Sequence, residues 1–198
     1  MFSRRFNVSI TENYGITEAG GICTNGFPHN NVIIKIIDEK ENELGINQIG
    51  EIIVSGPGKA KGYLNQPHLT SKVFKNNFFY TGDLGKIDEK GKLQILCRKK
   101  NIINLKDKEI YPDEIIEVLC GHPNVKNALV RKNANEWLEA IVTLNKSCSA
   151  ENLIEYCQKH LDEHKIPKNI KIQESLPYLW QLAIDSNNFN LHKLKGKA

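Results

Sequence analysis

The chain has 198 residues, 40% of them hydrophobic and 25% charged, enough to bury one good core or two small ones. Its net charge of +4 lies wholly in residues 1–100 (14 basic against 10 acidic), with residues 101–198 balanced at 13 against 13, which is too mild for a nucleic-acid protein although it suits a phosphate ligand. Five cysteines with no CxxC pair argue against a disulfide framework or a zinc site and for a reducing cytoplasm, and no apolar run approaches the roughly 18 residues of a membrane span.

In chain order, Met1–Ile10 leads into Tyr14 without a preceding helix or sheet, as though something upstream were absent. Residues 31–37 are β-branched and read as a strand, followed by a charged tip at 38–43. Residues 50–58 are a strand closed by a Gly/Pro turn, and Thr70–Phe74 is a short helical turn. Phe78–Tyr80 enters a strand expected to end at Gly82-Asp83, and residues 84–87 and 92–96 form a hairpin across Asp88–Gly91. Everything up to about Cys97 is β-rich and suggests a small barrel-like subdomain.

Beyond Arg98-Lys99-Lys100 the pattern changes. Pro112 opens a helix with Gly121 and Pro123 just past its end. Residues 126–132 and 137–144 read as strands, and 150–164 as a helix with Ser149 as N-cap and Leu153, Cys157 and Leu161 on one face. A last strand covers 170–173, and Trp137 and Trp180 read as packing residues. The fold class is α+β, in three segments: 1–97 β-rich, 98–100 a hinge, and 101–198 a compact α+β unit.

Two phrases carry chemistry. Tyr14-Gly15-Ile16-Thr17-Glu18 and Tyr80-Thr81-Gly82-Asp83, with Arg98 fifteen residues beyond Asp83, supply an aromatic, a glycine turn, a hydroxyl, two carboxylates and a guanidinium. That is the inventory for a nucleoside monophosphate and its metal. Taken singly, the first phrase is an ordinary strand-to-loop turn, Thr-Gly-Asp is a turn favoured for backbone reasons, and Arg98-Lys99-Lys100 is a solvated charge run.

Their order resembles the adenylate-forming (AMP-binding) superfamily of acyl-CoA synthetases, luciferases and peptide-synthetase adenylation domains. The matching landmarks are Tyr14–Glu18, Gly50-Glu51 with Gly62-Tyr63-Leu64-Asn65, Thr81-Gly82-Asp83, Cys97-Arg98 and Pro112-Asp113-Glu114-Ile115. The resemblance implies that residues 1–97 end the large AMP-binding domain and 101–198 form its small C-terminal lid. It implies a Tyr14 ring beside adenine, a close backbone at Gly15, the Thr17 hydroxyl on the α-phosphate and Glu18 on Mg²⁺. Asp83 would take the ribose hydroxyls, Arg98 would donate near ribose and phosphate, and the lid would pivot at Lys100. ATP or AMP, Mg²⁺ and coenzyme A are the implied ligands, with a small carboxylic acid as substrate and neither nucleic acid nor membrane as partner.

The sequence departs from that pattern in places. It contains no Gly-rich phosphate loop ending in lysine. The position of the family's lid lysine falls on Ala183 or Asn188 according to the gap chosen. Cys97 and Asp107 stand where the family has glycine, and a carboxylate at 107 would repel an incoming thiol arm. The expectation is a truncated ligase, inactive alone and completed by an N-terminal ligase domain on another chain. An apolar surface on residues 6–40 would be its mark. The alternative is a non-catalytic nucleotide-binding or protein-interaction remnant.

Overall fold

The computed structural model describes residues 8–176. The chain divides into two units, residues 1–101 and 102–198, each with its own sheets and core.

In the first unit, β1 (Asn13–Ile16), β2 (Gly20–Thr24) and β3 (Phe27–Pro28) form an antiparallel three-stranded sheet. A second sheet takes β4 (Ile33–Ile37), β5 (Gly50–Ser55), β6 (Phe74–Lys75), β7 (Phe78–Ile87) and β8 (Leu93–Arg98). Its order is β4-β5-β7-β6, with β8 also paired to β7. The sheet stays open and no barrel closes among the described residues. Helix α1 (Pro67–Val73) begins three residues earlier than the turn expected at Thr70, with Pro67 in its first turn. Ile22 and Cys23 from the first sheet pack with Ile36, Ile52, Val54, Phe79 and Leu93 from the second, so one core serves both.

The strand expected to stop at Gly82-Asp83 does not stop there. β7 runs ten residues, Phe78–Ile87, because the Thr-Gly-Asp phrase is absorbed as a bulge and pairing resumes at Leu84. The hairpin into β8 turns where expected: Asp88 Oδ1 accepts from the amides of Lys90 and Lys92, both at 2.9 Å, and Gly91 takes φ +75°.

The second unit opens with a small hairpin of β9 (Ile103–Leu105) and β10 (Lys108–Ile110), with Asp107 exposed in its turn. Helix α2 (Pro112–Gly121) has Pro112 in its first turn with Asp113 and Glu114. β11 (Val125–Lys132) and β12 (Leu138–Leu144) are antiparallel, and β13 (Asn169–Ile172) joins β12 in parallel after helix α3 (Ala150–His160). Ser149 caps α3 by accepting from Asn152 N at 3.3 Å, as its position suggested. The helix ends four residues short of the expected 164: Leu161 is extended and its amide returns to the Cys157 carbonyl. Ile115 and Leu119 of α2, Leu153 and Cys157 of α3, and alternate residues of the sheet (Leu138, Ala140 and Val142 of β12) make the core. Trp137 is only half buried; the Lys168 ammonium sits 3.7 Å from its ring centroid. No helix among the described residues is long and apolar enough to cross a membrane.

Candidate functional site

The site grows from the bulge. Between the pairs Glu51 with Leu84 and Ile53 with Tyr80, β5 has one residue, Ile52, while β7 has three: Thr81, Gly82 and Asp83. Gly82 takes φ +71°, which lets the chain swing out and return. Thr81 fixes the excursion from inside: its buried hydroxyl donates to the Ile52 carbonyl at 2.7 Å and accepts from Asp83 N at 3.0 Å. Gly82 N donates to Glu51 Oε1 at 3.2 Å, and Lys99 closes on Glu51 Oε2 at 3.2 Å.

Asp83 therefore arrives buried and aimed. Its register partner on β8 is Arg98, whose Nε meets Asp83 Oδ1 at 2.8 Å while Nη1 donates to the Thr81 carbonyl at 2.8 Å. From β1, Tyr14 donates its hydroxyl to Asp83 Oδ2 at 2.6 Å. Burial, and after it the Asp83 hydrogen bond, pushes the Tyr14 phenol well above its usual range, so the hydroxyl stays a donor. A carboxylate offers about four lone-pair sites. Tyr14 and Arg98 use two of those of Asp83.

Glu18, half-buried beyond β1, accepts from the Tyr63 hydroxyl at 2.7 Å on Oε1. Burial and then that bond raise the Tyr63 phenol to about 12. Glu18, Tyr63, Glu51, Tyr80, Arg98 and Lys99 share one cavity of about 440 Å³ within the first unit. Lys75 also lines it, paired with Glu41 at 2.7 Å and lying 4.7 Å over the Tyr80 ring.

Of the residues singled out by sequence, Tyr14, Asp83 and Arg98 form one bonded group, and Glu18 and Arg98 line one cavity. Thr17 is exposed and off the cavity wall. Gly15 answers a packing demand: a Cβ there would lie 2.8 Å from the Gly20 carbonyl, at a bulge between β1 and β2. Lys100 lies in the 3-10 turn Lys99–Asn101. Ala183 and Asn188 lie outside the described residues. Sequence reasoning gave no role to Thr81, Glu51 or Tyr63, although each stands inside a quoted landmark; their partners are distant in sequence.

No cluster of three or more His, Cys, Asp or Glu that could hold a metal occurs among the described residues. Glu18 alone still fits Mg²⁺, which takes one or two carboxylate oxygens and completes its shell with water and phosphate.

Residues 1–64 match the family described as AMP-binding enzyme, and residues 114–178 the AMP-binding enzyme C-terminal domain. A long-chain-fatty-acid CoA ligase of Escherichia coli is 31% identical over 185 residues, covering 85% of this chain and 33% of that protein. A 2-succinylbenzoate CoA ligase of a Geobacillus species is 35% identical over 176 residues, covering 85% and 35%. Among solved structures, O-succinylbenzoate coenzyme A synthetase of Bacillus subtilis in complex with AMP superposes at TM-score 0.81 and 29% identity, covering 100% of this chain and 43% of that one. ATP-bound MatB of Rhodopseudomonas palustris gives 0.81 at 30%, covering 89% and 39%. The chain is a member of the AMP-binding, adenylate-forming ligase family and carries a C-terminal part of it. It spans about a third of the length of the curated relatives it matches.

Proposed function

We propose that this chain supplies the nucleotide-holding strands and the lid of a carboxylate-activating ligase. In that reaction a carboxylate oxygen of a small acid attacks the α-phosphorus of ATP and pyrophosphate leaves. The thiol of coenzyme A then displaces AMP from the acyl-adenylate, giving a thioester. Asp83 takes the ribose hydroxyls on its two open lone-pair sites, and Arg98, already locked to Asp83 and Thr81, presents its free edge to ribose and phosphate. The Tyr14 ring lies beside adenine, Thr17 donates to the α-phosphate and Glu18 holds Mg²⁺, which neutralises charge on the phosphates when bound. The lid pivots at Lys100.

The observation that carries this reading is the Tyr14–Asp83–Arg98 group mounted on a bulge, beside a cavity that Arg98 shares with Glu18. The phosphate loop and the acid pocket come from an N-terminal ligase domain that these residues would pack against. Supporting that partner, Val8, Ile10, Phe27 and Ile33 are all exposed apolar residues within the stretch where such a domain would pack. Alone, the chain runs no useful reaction.

Calorimetric titration tests the site: AMP binds the intact chain, and Asp83→Ala abolishes the heat. Co-expression with the N-terminal two-thirds of a relative then restores ATP–pyrophosphate exchange. Binding without exchange favours the second reading, a non-catalytic nucleotide-binding remnant. Absence of AMP binding overturns both.

A further inference from the structure

One contact beside the candidate site has no part in that reading: the Tyr63 hydroxyl on Glu18 Oε1, at 2.7 Å and 45 residues apart in sequence. Tyr63 is held from three sides. Its amide donates to Thr70 Oγ1 of α1 at 2.9 Å, and its carbonyl accepts from Gln66 N at 3.2 Å. Its ring stands edge-on to Phe74, centroids 5.8 Å apart. The preceding Gly62 must be glycine for this to close, since a Cβ there would lie 2.5 Å from Thr70 Cγ2 and 2.9 Å from Thr70 Oγ1. The loop and α1 thus deliver one phenol hydroxyl to one oxygen of one carboxylate. Among the described residues, Glu18 Oε2 has no protein donor, and Glu18 and Tyr63 both line the cavity.

We infer that Tyr63 is a positioning residue that makes Glu18 a one-oxygen ligand and so sets the divalent-cation preference of the site toward Mg²⁺ over Ca²⁺. With Oε1 engaged by the phenol, Oε2 is, among the described residues, the oxygen left without a protein donor for a cation to meet. Mg²⁺ is small, demands near-octahedral geometry at about 2.0–2.1 Å and accepts single carboxylate oxygens among waters and phosphates. Ca²⁺ takes six to eight ligands, often with both oxygens of one carboxylate, and must here share Oε1 with the phenol proton to do so. Removing the hydroxyl frees the carboxylate to rotate and to bind through both oxygens.

This inference rests on Glu18 being the metal carboxylate of the proposed nucleotide site. Its test is titration of the full chain with ATP at fixed Mg²⁺, at fixed Ca²⁺ and with neither, in the wild type and in Tyr63→Phe. The Phe variant keeps the ring against Phe74. Its ATP affinity in Mg²⁺ should fall about tenfold, the low end of what loss of a ligand-orienting partner costs. Affinity in Ca²⁺ should hold or rise, and affinity without metal should be unchanged. Thr70→Val, which loosens the Tyr63 backbone, should move the Mg²⁺ value the same way by less. Equal losses in all three titrations mean that Tyr63 only packs the loop and overturn the inference, as does a variant that matches the wild type throughout. Both leave the nucleotide site standing. A wild type that takes no ATP under any condition overturns the nucleotide reading itself and this inference with it.

Discussion

Each unit buries one carboxylate against an arginine on a neighbouring strand, and the two end in opposite states. Glu139 sits in the regular ladder of the second unit, opposite Arg131 on one side and Asn169 on the other. Arg131 donates to Oε2 from Nε at 3.1 Å and from Nη2 at 2.8 Å, while Lys171 at 2.7 Å and Asn169 at 3.3 Å donate to Oε1. Four donors fill its four sites. Asp83 in the first unit sits on a bulge, opposite Arg98, and its bonds to Tyr14 and Arg98 fill two. A carboxylate in an unbroken ladder is saturated by neighbouring strands and becomes a structural cross-link. One lifted out by a bulge keeps valence for something else.

That contrast can be broken most sharply at Asp83. Asp83→Ala should weaken AMP binding by about 100-fold or more, as loss of a buried hydrogen-bonding charge does, whereas Glu139→Gln should leave AMP affinity unchanged in the same titration. A shared loss would mean that the two carboxylates do not differ in kind. Next in size is stability. Glu139→Ala should cost about 1–3 kcal/mol in denaturant unfolding, with Arg131 and Lys171, both half-exposed, recovering water and keeping the figure below that of a fully buried pair.

Thr81→Val tests whether the bulge is what presents Asp83. It orphans the Ile52 carbonyl and the Asp83 amide, so a loss of about 1–2 kcal/mol should come with weaker AMP binding. Lost stability with intact affinity would separate the bulge from the site. A pH series sharpens the other side. The Lys171 hydrogen bond, followed by Arg131, holds the Glu139 carboxyl below its ordinary value of 4.5. A depressed folded value means that the stabilisation is complete above the unfolded value and is lost as pH falls from there through the folded one. Unfolding measured below pH 5 should therefore slope less steeply in Glu139→Gln than in the wild type. The smallest effect is expected for Lys99→Ala, an exposed partner of Glu51, at roughly 0–1 kcal/mol.

How much was legible in advance follows from where each partner lies. The Ser149 cap bonds three residues on, and the Asp88 turn bonds two and four residues on; both could be read from the chain. Pro112 in the first turn of α2 is equally local. Strand ends were misread where distant contacts intervene. β7 was expected to stop at Gly82 because Gly and Asp favour turns, yet Thr81 reaches the Ile52 carbonyl 29 residues away and turns the phrase into a bulge. Strand composition likewise does not say whether a sheet closes on itself, and the first unit's sheet is open among the described residues.

By itself the sequence determined the order of its landmarks, the caps and turns that bond within a few residues, and the residue types a nucleotide site requires. Only the tertiary structure decided which oxygens remain available. Tyr14 reaches Asp83 across 69 residues and Tyr63 reaches Glu18 across 45, and each fills one acceptor site of its carboxylate. Hydrogen-bond valence is finite, and which donors consume it depends on strands meeting in space, a matter that no local pattern of side chains records.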